Sequence, residues 1–358
     1  MSELAFNLLL LVVDAAALFL VWQRNTFPRR AAAAAGVVMA ALVLSIALGH
    51  GGFGVMRLWS WALFVHGVLL SLGVAIISWR SRRWLAIGYS VLALLLAGVG
   101  VDAFLIEPTR LQVSHVVLHS PKLMQAKKIV VIADLQTDSI GDYERKTFER
   151  VVAERPDIVL FVGDYIQEFD AAKRRRLFGE FRELLATAGL PESTAMFAVR
   201  GNVDPGNWAE LFTGSNVVTC EDTQSFDSAG LRLTALSQPD SRDLSLRVPG
   251  AEAFHIAFGH HPDFARGDVP ADLLIAGHTH GGQVRLPLIG PLMTLSRIPR
   301  RWAAGVTQLE GGRTLVVSRG VGMERGDAPR LRFLCRPEIV VIEVAPTLPN
   351  NTADSATE

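Results

Sequence analysis

The stretch 272–283 reads DLLIAGHTHGGQ, an apolar run that ends in two histidines and three glycines. A short run of large apolar residues bounded by turn residues is typical of a buried strand. The glycines let the backbone turn sharply and approach a bound group closely. His278 and His280 follow the carboxyl end of this strand, so the stretch predicts a strand that brings two imidazoles, common metal ligands, to one edge of a sheet.

Seven other short runs rich in apolar and β-branched residues also predict strands. Several are almost continuously apolar, as in sheets that are buried on both faces. Residues 143–154 and 171–186 repeat apolar residues at intervals of three and four and predict helices. Strands alternating with helices indicate a layered α/β architecture. The eight predicted strands are 128–133, 157–162, 195–199, 231–236, 254–258, 272–276, 314–318 and 338–344.

Polar residues follow five of the predicted strands, each time at the carboxyl end. In open α/β sheets the ligand crevice lies at that edge, so we expect the five groups to converge in space. The groups are Asp134 with Gln136, Gly163 with Asp164, Gly201 with Asn202, His260, and His278 with His280.

The residue types in these groups predict a pair of divalent metal ions. Carboxylate and amide oxygens are hard ligands, and neutral imidazoles suit transition metals. A carboxylate shared between two ions about 3.5–4 Å apart is the geometry that clamps the attacking and leaving oxygens in phosphoryl transfer. Asp164 is the candidate for the shared carboxylate.

The order of these groups resembles the calcineurin-like metallophosphoesterase family. The motifs that carry the resemblance are DLQ at 134–136, GD at 163–164, GNVD at 201–204, H-x-P at 260–262 and GHTHGGQ at 277–283. The last motif is followed by RLPLIGP, SRGVG and RPEIVVIEV. In this long form the chain is similar to the membrane-associated branch of YkuE-like and UDP-diacylglucosamine pyrophosphohydrolase-like enzymes.

The resemblance implies a layered β-sandwich flanked by helices and a metal-dependent phosphoric ester hydrolase activity. It also implies two divalent ions, with manganese favoured and magnesium, iron and zinc as alternatives, and a bridging hydroxide as nucleophile. The implied ligands of the first ion are Asp134, Gln136, Asp164 and His280. Those of the second ion are Asp164, Asn202, His260 and His278.

Two positions depart from the family pattern. Gln136 stands where the family has a histidine, which is expected to weaken zinc or iron binding more than manganese or magnesium binding. Val203 stands where the family has a histidine near the leaving group, and losing such a group costs about 10² to 10⁴ in rate. The residues that could supply a replacement are Asp138, Arg200, Asp204 and His261.

Two functions therefore remain open. One is an active hydrolase whose catalytic candidates are Asp164, Asn202, Asp204 and His261. The other is a catalytically weak or inactive protein that binds metal or phosphate. An inert protein would be expected to have lost more than one metal ligand by residue type, which favours the hydrolase.

The chain is unusually apolar, with 50% hydrophobic residues among 358. Four apolar stretches each approach the roughly 20 residues that a helix needs to cross a bilayer core. We therefore predict a membrane module at 1–106, an α/β domain at 107–345 and a disordered polar tail at 346–358. The predicted spans are 4–22, 31–49, 58–79 and 84–106.

The net charge of zero results from two parts of opposite sign. Residues 1–106 contain seven arginines, no lysine and three acidic residues, leaving 28 basic and 32 acidic residues for the remainder. A balanced chain does not indicate a nucleic-acid binder. Three arginines lie in each of the loops after the first and third spans, which places those loops in the cytoplasm and the α/β domain outside it.

The four predicted spans would hold the α/β domain at the bilayer, which predicts a lipid or cell-envelope phosphate substrate. The sequence leaves the oligomeric state open. Residues 286–302 are either a loop on the membrane interface, with Trp302 at its basic end, or a loop packed over the core. Asp14 is expected to face a neighbouring helix with a hydrogen-bond partner, and no transport path is indicated. Cys220 and Cys335 are expected to be buried, with a single disulfide as the alternative.

Overall fold

The computed structural model describes residues 2–347, which form two compact units. Residues 2–108 and 324–333 form a helical unit, and residues 109–323 and 334–347 form an α/β unit. Most of the predicted tail lies outside the described residues. Pro346, which we assigned to the tail, is the last residue of a strand.

The helical unit contains four helices that are long and apolar enough to cross a membrane. They confirm the four predicted helices, although the third begins at Gly51 rather than at residue 58. The helices are α1 (Ser2–Gln23), α2 (Phe27–Leu48), α3 (Gly51–Ser78) and α4 (Arg83–Thr109).

A polar contact lies inside this bundle. Nδ1 of His66 is 2.6 Å from a carboxylate oxygen of Asp14, and Nε2 of His66 is 3.0 Å from the side-chain oxygen of Asn7. Both Asp14 and His66 are buried. As expected, Asp14 faces a neighbouring helix, and the contact joins α1 to α3.

The segment 324–333 packs on the helices although its sequence neighbours belong to the α/β unit. The Arg57 guanidinium on α3 donates to the Gly326 carbonyl at 2.9 Å and forms ion pairs with Glu3 at 2.7 Å and Asp327 at 3.3 Å. We assigned this segment to the α/β domain, because its short polar sequence gives no sign of these contacts.

The α/β unit consists of two six-stranded sheets and a small hairpin. Its strands are β1 (Gln112–Ser120), β2 (Lys127–Ile132), β3 (Ile158–Phe161), β4 (Ala195–Val199), β5 (Val217–Cys220), β6 (Gln224–Ser228), β7 (Leu231–Ala235), β8 (His255–Phe258), β9 (Leu273–Ala276), β10 (Arg285–Leu286), β11 (Gly290–Pro291), β12 (Gly305–Gln308), β13 (Thr314–Val317) and β14 (Glu338–Pro346).

The first sheet has the order β1-β14-β2-β3-β4-β5, and the second has the order β12-β13-β9-β8-β7-β6. Strands β2 to β5 run parallel in the first sheet, and β7, β8, β9 and β13 run parallel in the second. The carboxyl ends of parallel strands meet at one edge of each sheet. This topology places the loops after β2, β3, β4, β8 and β9 at those edges.

The core of the α/β unit explains why the central strands are apolar throughout. On β2, Ile129 and Val131 pack between the two sheets, whereas Val130 and Ile132 pack on the outer face of the first sheet. Helices α5 (Asp142–Ala153) and α6 (Ala171–Thr187) cover that outer face. Both faces of β2 are therefore buried, and the predicted layered α/β fold is confirmed.

Short helices complete the unit. They are α7 (Gln238–Ser241) and five single turns of 3₁₀-helix at Trp208–Phe212, Pro262–Arg266, His280–Gly282, Arg300–Trp302 and Glu310–Gly312. Trp302 packs against buried residues on the outer face of the second sheet. The indole is therefore half-buried in its own domain, in agreement with the packed-loop alternative at this residue. Both described cysteines are buried and free.

Candidate metal centre

The predicted polar groups converge where the two sheets end. Two clusters of side chains have ligand atoms within 4.8 Å of one another, and both contain His260, which follows β8. The first cluster adds Asp134 and Asp164 from the ends of β2 and β3. The second adds His261 and His278. All five side chains are buried, as expected for groups that bind an ion inside a protein.

The backbone is strained at these residues. Asp134, Asp164 and His278 all have positive φ, at 49°, 56° and 68°. Residues other than glycine rarely adopt this conformation, which costs of order 1–3 kcal/mol and occurs most often at functional sites. Gln136 and His280 share it, at 38° and 48°. This backbone conformation directs the side chains that follow β2, β3 and β9 toward the centre.

Hydrogen bonds fix the orientation of the imidazoles. Nδ1 of His260 donates to the Val162 carbonyl at 2.8 Å, so Nε2 is the atom available to a ligand. That Nε2 lies 3.2 Å from a carboxylate oxygen of Asp164 and 3.0 Å from the side-chain oxygen of Asn202. Asn202 is exposed, so its amide lies at the open side of the centre.

The second histidine loop is bonded directly to the first aspartate. The backbone N–H of His278 donates to both carboxylate oxygens of Asp134, at 2.9 and 3.1 Å. Nε2 of His278 donates to the Leu295 carbonyl at 3.1 Å, which leaves Nδ1 as the ligand atom. These bonds join the end of β9 in one sheet to the end of β2 in the other.

The charges in the centre are those of a cation site. Burial alone raises the pKa of Asp164, but His260 beside it holds that pKa below its usual range. Burial lowers the pKa of His260, yet Asp164 and Asp134 raise it to about 9. Burial and the neighbouring His260 lower the pKa of His278 to about 4. A divalent ion would replace the proton that the carboxylates hold on His260.

Asp204, one of the predicted catalytic candidates, is bonded to the backbone of two loops at the centre. Its carboxylate accepts three backbone N–H bonds, from Asp164, Tyr165 and Gly201, each at 2.8 Å. Burial and the nearby Asp164 charge raise the pKa of Asp204 to about 7. Because its oxygens are used to join the loops after β3 and β4, the geometry favours a positioning role over a catalytic one.

Among the possible replacement donors, His261 is the one that joins a cluster of described residues. Its ring centroid lies 3.7 Å from that of His278, and its side chain is buried rather than on the surface. Burial lowers its pKa. Arg200 instead donates to the Asp204 carbonyl at 3.0 Å and closes the loop after β4.

The substituted positions have their own contacts. Gln136 is buried, and its side-chain nitrogen donates to the Gln167 side-chain oxygen at 3.0 Å. The Val203 backbone N–H donates to Asp164 at 2.9 Å. His280 is buried beside the centre but belongs to neither of the two clusters found within residues 2–347. Asp134 and Asp164 from the first predicted ligand set therefore group with His260 from the second.

Two glycines in the motif SRGVG support the centre, a role that we did not predict. Gly320 has a φ of 72°, and a Cβ there would lie 2.6 Å from the Cβ of Asp134. A Cβ on Gly322 would lie 2.0 Å from the Leu135 carbonyl oxygen. The backbone of this segment therefore packs directly on the loop after β2. The repeated glycines were the only sign of this in the sequence.

These donors fit divalent cations, since buried carboxylates and oriented neutral imidazoles are the usual ligands of such ions. The model of the calcineurin-like phosphoesterase family matches residues 127–282, the part of the chain that supplies both clusters of candidate metal ligands. The chain belongs to this family. Calcineurin-like phosphoesterases are metal-dependent phosphoester hydrolases, so the predicted fold and enzyme class are both confirmed.

Relatives support the same assignment. The chain is 30% identical over 275 residues to the uncharacterized metallophosphoesterase YkuE of Bacillus subtilis, covering 70% of this chain and 91% of that protein. It is 32% identical over 207 residues to the phosphodiesterase YaeI of Escherichia coli, covering 54% and 72%. An uncharacterized metallophosphoesterase of Aquifex aeolicus is 25% identical over 251 residues, covering 62% and 84%.

Proposed function

We propose that this calcineurin-like phosphoesterase is anchored in a membrane by four helices and hydrolyses a phosphate ester or pyrophosphate on a lipid or cell-envelope substrate. The observation that carries the proposal is the buried set of Asp134, Asp164 and His260, whose ligand atoms lie within 4.8 Å of one another. Four helices long and apolar enough to cross a membrane support the lipid part of the proposal.

We assign two divalent ions to the centre. The first would be held by Asp134, Gln136, Asp164 and His280, and the second by Asp164, Asn202, His260 and His278 with His261 beside them. Bound divalent ions polarise a phosphoryl oxygen and lower the pKa of water. Because the first set is rich in oxygen donors, we assign manganese to it, with magnesium as the alternative. The imidazole-rich second set also suits zinc or iron.

The protein's own residues orient these ligands. Asp204 holds the amides of Asp164 and Gly201, and the His278 amide holds Asp134. Asn202 places its amide at the open side, where a substrate phosphate would approach. Because Val203 offers no imidazole at the leaving group, we expect substrates with good leaving groups to react fastest.

The E. coli relative is named a phosphodiesterase, which favours a diester over a monoester substrate. The arginine-rich loops after the first and third predicted spans favour a cytoplasmic position for those loops and an outer position for the α/β unit. A nucleotide-linked lipid would require the opposite orientation. We therefore favour a lipid-borne phosphodiester or pyrophosphate without a nucleotide.

The test is hydrolysis of bis-aryl and aryl phosphates by the purified full-length protein with manganese, magnesium or zinc. We expect turnover that a chelator abolishes, that manganese restores, and that Asp164→Ala lowers by about 10² or more. Absence of metal-dependent turnover on both substrates would contradict the proposal. Retained metal without turnover, together with activity gained in Val203→His, would instead indicate a weak or inactive metal-binding protein.

A further inference from the structure

Residues 284–302 expose large apolar side chains beside the metal centre. Strands β10 and β11 form an antiparallel hairpin, and residues 287–289 form its tip. Leu288 is 108% exposed and Ile289 60% exposed, and Leu288 adopts a left-handed φ of 65°. Leu292 and Leu295 are exposed on the same segment. Contiguous exposed apolar residues of this kind mark surfaces that contact a partner or a membrane.

The other side of the segment is fixed to the metal centre. The Leu295 carbonyl accepts from His278 at 3.1 Å. The backbone N–H of Arg297 donates to the Asp263 carboxylate at 3.0 Å, and the Ser296 hydroxyl bonds the same carboxylate. Asp263 lies two residues after His261, which belongs to the second cluster. The segment that carries the apolar hairpin is therefore hydrogen-bonded to the loops of the metal centre.

The charge of this region is opposite to that of its domain. Residues 273–309 contain four arginines and no acidic residue, whereas residues 107–358 carry a net charge of −4. Arg297, Arg300 and Arg301 are exposed. Exposed apolar residues flanked by arginines are the pattern of elements that enter the interface of an anionic bilayer, where each basic side chain adds attraction.

We propose that the hairpin inserts Leu288 and Ile289 into the surface of an anionic bilayer and brings a lipid-borne phosphate to the rim of the metal centre. The bilayer is the occupant that the charge favours, because the arginines complement anionic headgroups and the apolar tip complements the acyl boundary. The catalytic part of this inference rests on the proposed function. The membrane contact itself does not depend on turnover.

The contact can be measured with an environment-sensitive fluorophore on an introduced cysteine. The full-length chain is reconstituted in phosphatidylcholine vesicles with and without phosphatidylglycerol, and brominated lipids serve as quenchers. Leu288→Cys carries the test label. Met124→Cys, 92% exposed elsewhere on the α/β unit, carries the control label. Cys220 and Cys335 are buried, so the fluorophore is expected to react with the introduced cysteine.

We expect lipid quenching at position 288 and not at 124, and stronger quenching when phosphatidylglycerol is present. Arg300→Glu with Arg301→Glu is expected to weaken the anionic contact by about fivefold per arginine. Equal quenching at 288 and 124, or none at 288, would overturn the inference.

A second measurement separates this inference from the proposed function. Leu288→Asp with Ile289→Asp is expected to lower turnover of a fluorescent phosphodiester lipid in vesicles by at least about tenfold, with hydrolysis of a soluble bis-aryl phosphate unchanged. Equal loss on both substrates would contradict a membrane role for the hairpin. Quenching at 288 without any hydrolysis would support the membrane contact and count against the proposed function.

Discussion

At the residue scale, the metal centre depends on the absence of a side chain at Gly201. A Cβ there would lie 2.1 Å from a carboxylate oxygen of Asp164 and 2.3 Å from its backbone nitrogen. Gly201→Ala is therefore expected to displace Asp164 and weaken manganese binding by about 10- to 100-fold, as for other changes next to metal ligands. Isothermal titration with manganese measures the loss.

Gly206→Ala is the matched control on the same loop, because a Cβ at Gly206 meets nothing within 4 Å. Its manganese affinity should equal that of the unchanged protein. Equal affinities for all three proteins would show that Asp164 is not held against Gly201 in solution.

Asp204 gives a second prediction at this scale, about stability. Asp204→Ala leaves the buried amides of Asp164, Tyr165 and Gly201 without their acceptor, and each orphaned donor costs about 1–3 kcal/mol. We expect the free energy of unfolding to fall by about 3 kcal/mol or more, measured by chemical denaturation. Asp227→Ala, which breaks only an exposed pair with Arg232, should change it by less than about 1 kcal/mol.

The metal-binding character of the centre could be predicted from the sequence. Which residues beside the predicted ligands also face the centre could not. Asp134, Asp164, His260 and His278 were predicted from their place after apolar runs, and the structure brings them together. The roles of Asp204 and His261 could not be separated in the same way. Both lie next to a predicted ligand loop, and only the direction of each side chain decides between bonding backbone amides and facing the ions.

At the scale of elements, the eight predicted strands are the eight inner strands of the two sheets. The four edge strands β1, β5, β6 and β12 were missed. Inner strands are buried on both faces and read as continuous apolar runs. Edge strands contact solvent, and in β6 the residues Gln224, Ser225 and Asp227 are exposed. Polar residues of this kind interrupt the apolar run by which a strand is recognised in the sequence.

The contact between α1 and α3 gives a prediction about the helical bundle. His66→Leu leaves the buried Asp14 without this partner. Asp14→Leu removes the partner of the His66 Nδ1, while Nε2 keeps its contact with Asn7. We expect each single change to destabilise the bundle and the double change to restore part of the loss, with a coupling of about 1 kcal/mol. Thermal unfolding in detergent of the three variants measures the coupling. Strictly additive losses would show that the two side chains do not interact.

At the scale of the whole molecule, the chain combines a basic helical part with an acidic catalytic part. The arginine-rich loops predict that the α/β unit lies outside the cytoplasm. Alkaline phosphatase fused after residue 358 should therefore be active, and green fluorescent protein fused there should be dark. The reverse pattern would contradict the orientation and favour a nucleotide-linked lipid substrate.

The central claim is that the ends of five strands from two sheets build one centre for two ions, with Asp164 shared between them. Manganese titration of the full-length protein, followed by electron paramagnetic resonance, tests it most directly. We predict two ions per chain with a spin-coupled signal that Asp164→Ala abolishes and Gly206→Ala preserves. A single uncoupled ion per chain, or a coupled signal that survives Asp164→Ala, would contradict the account.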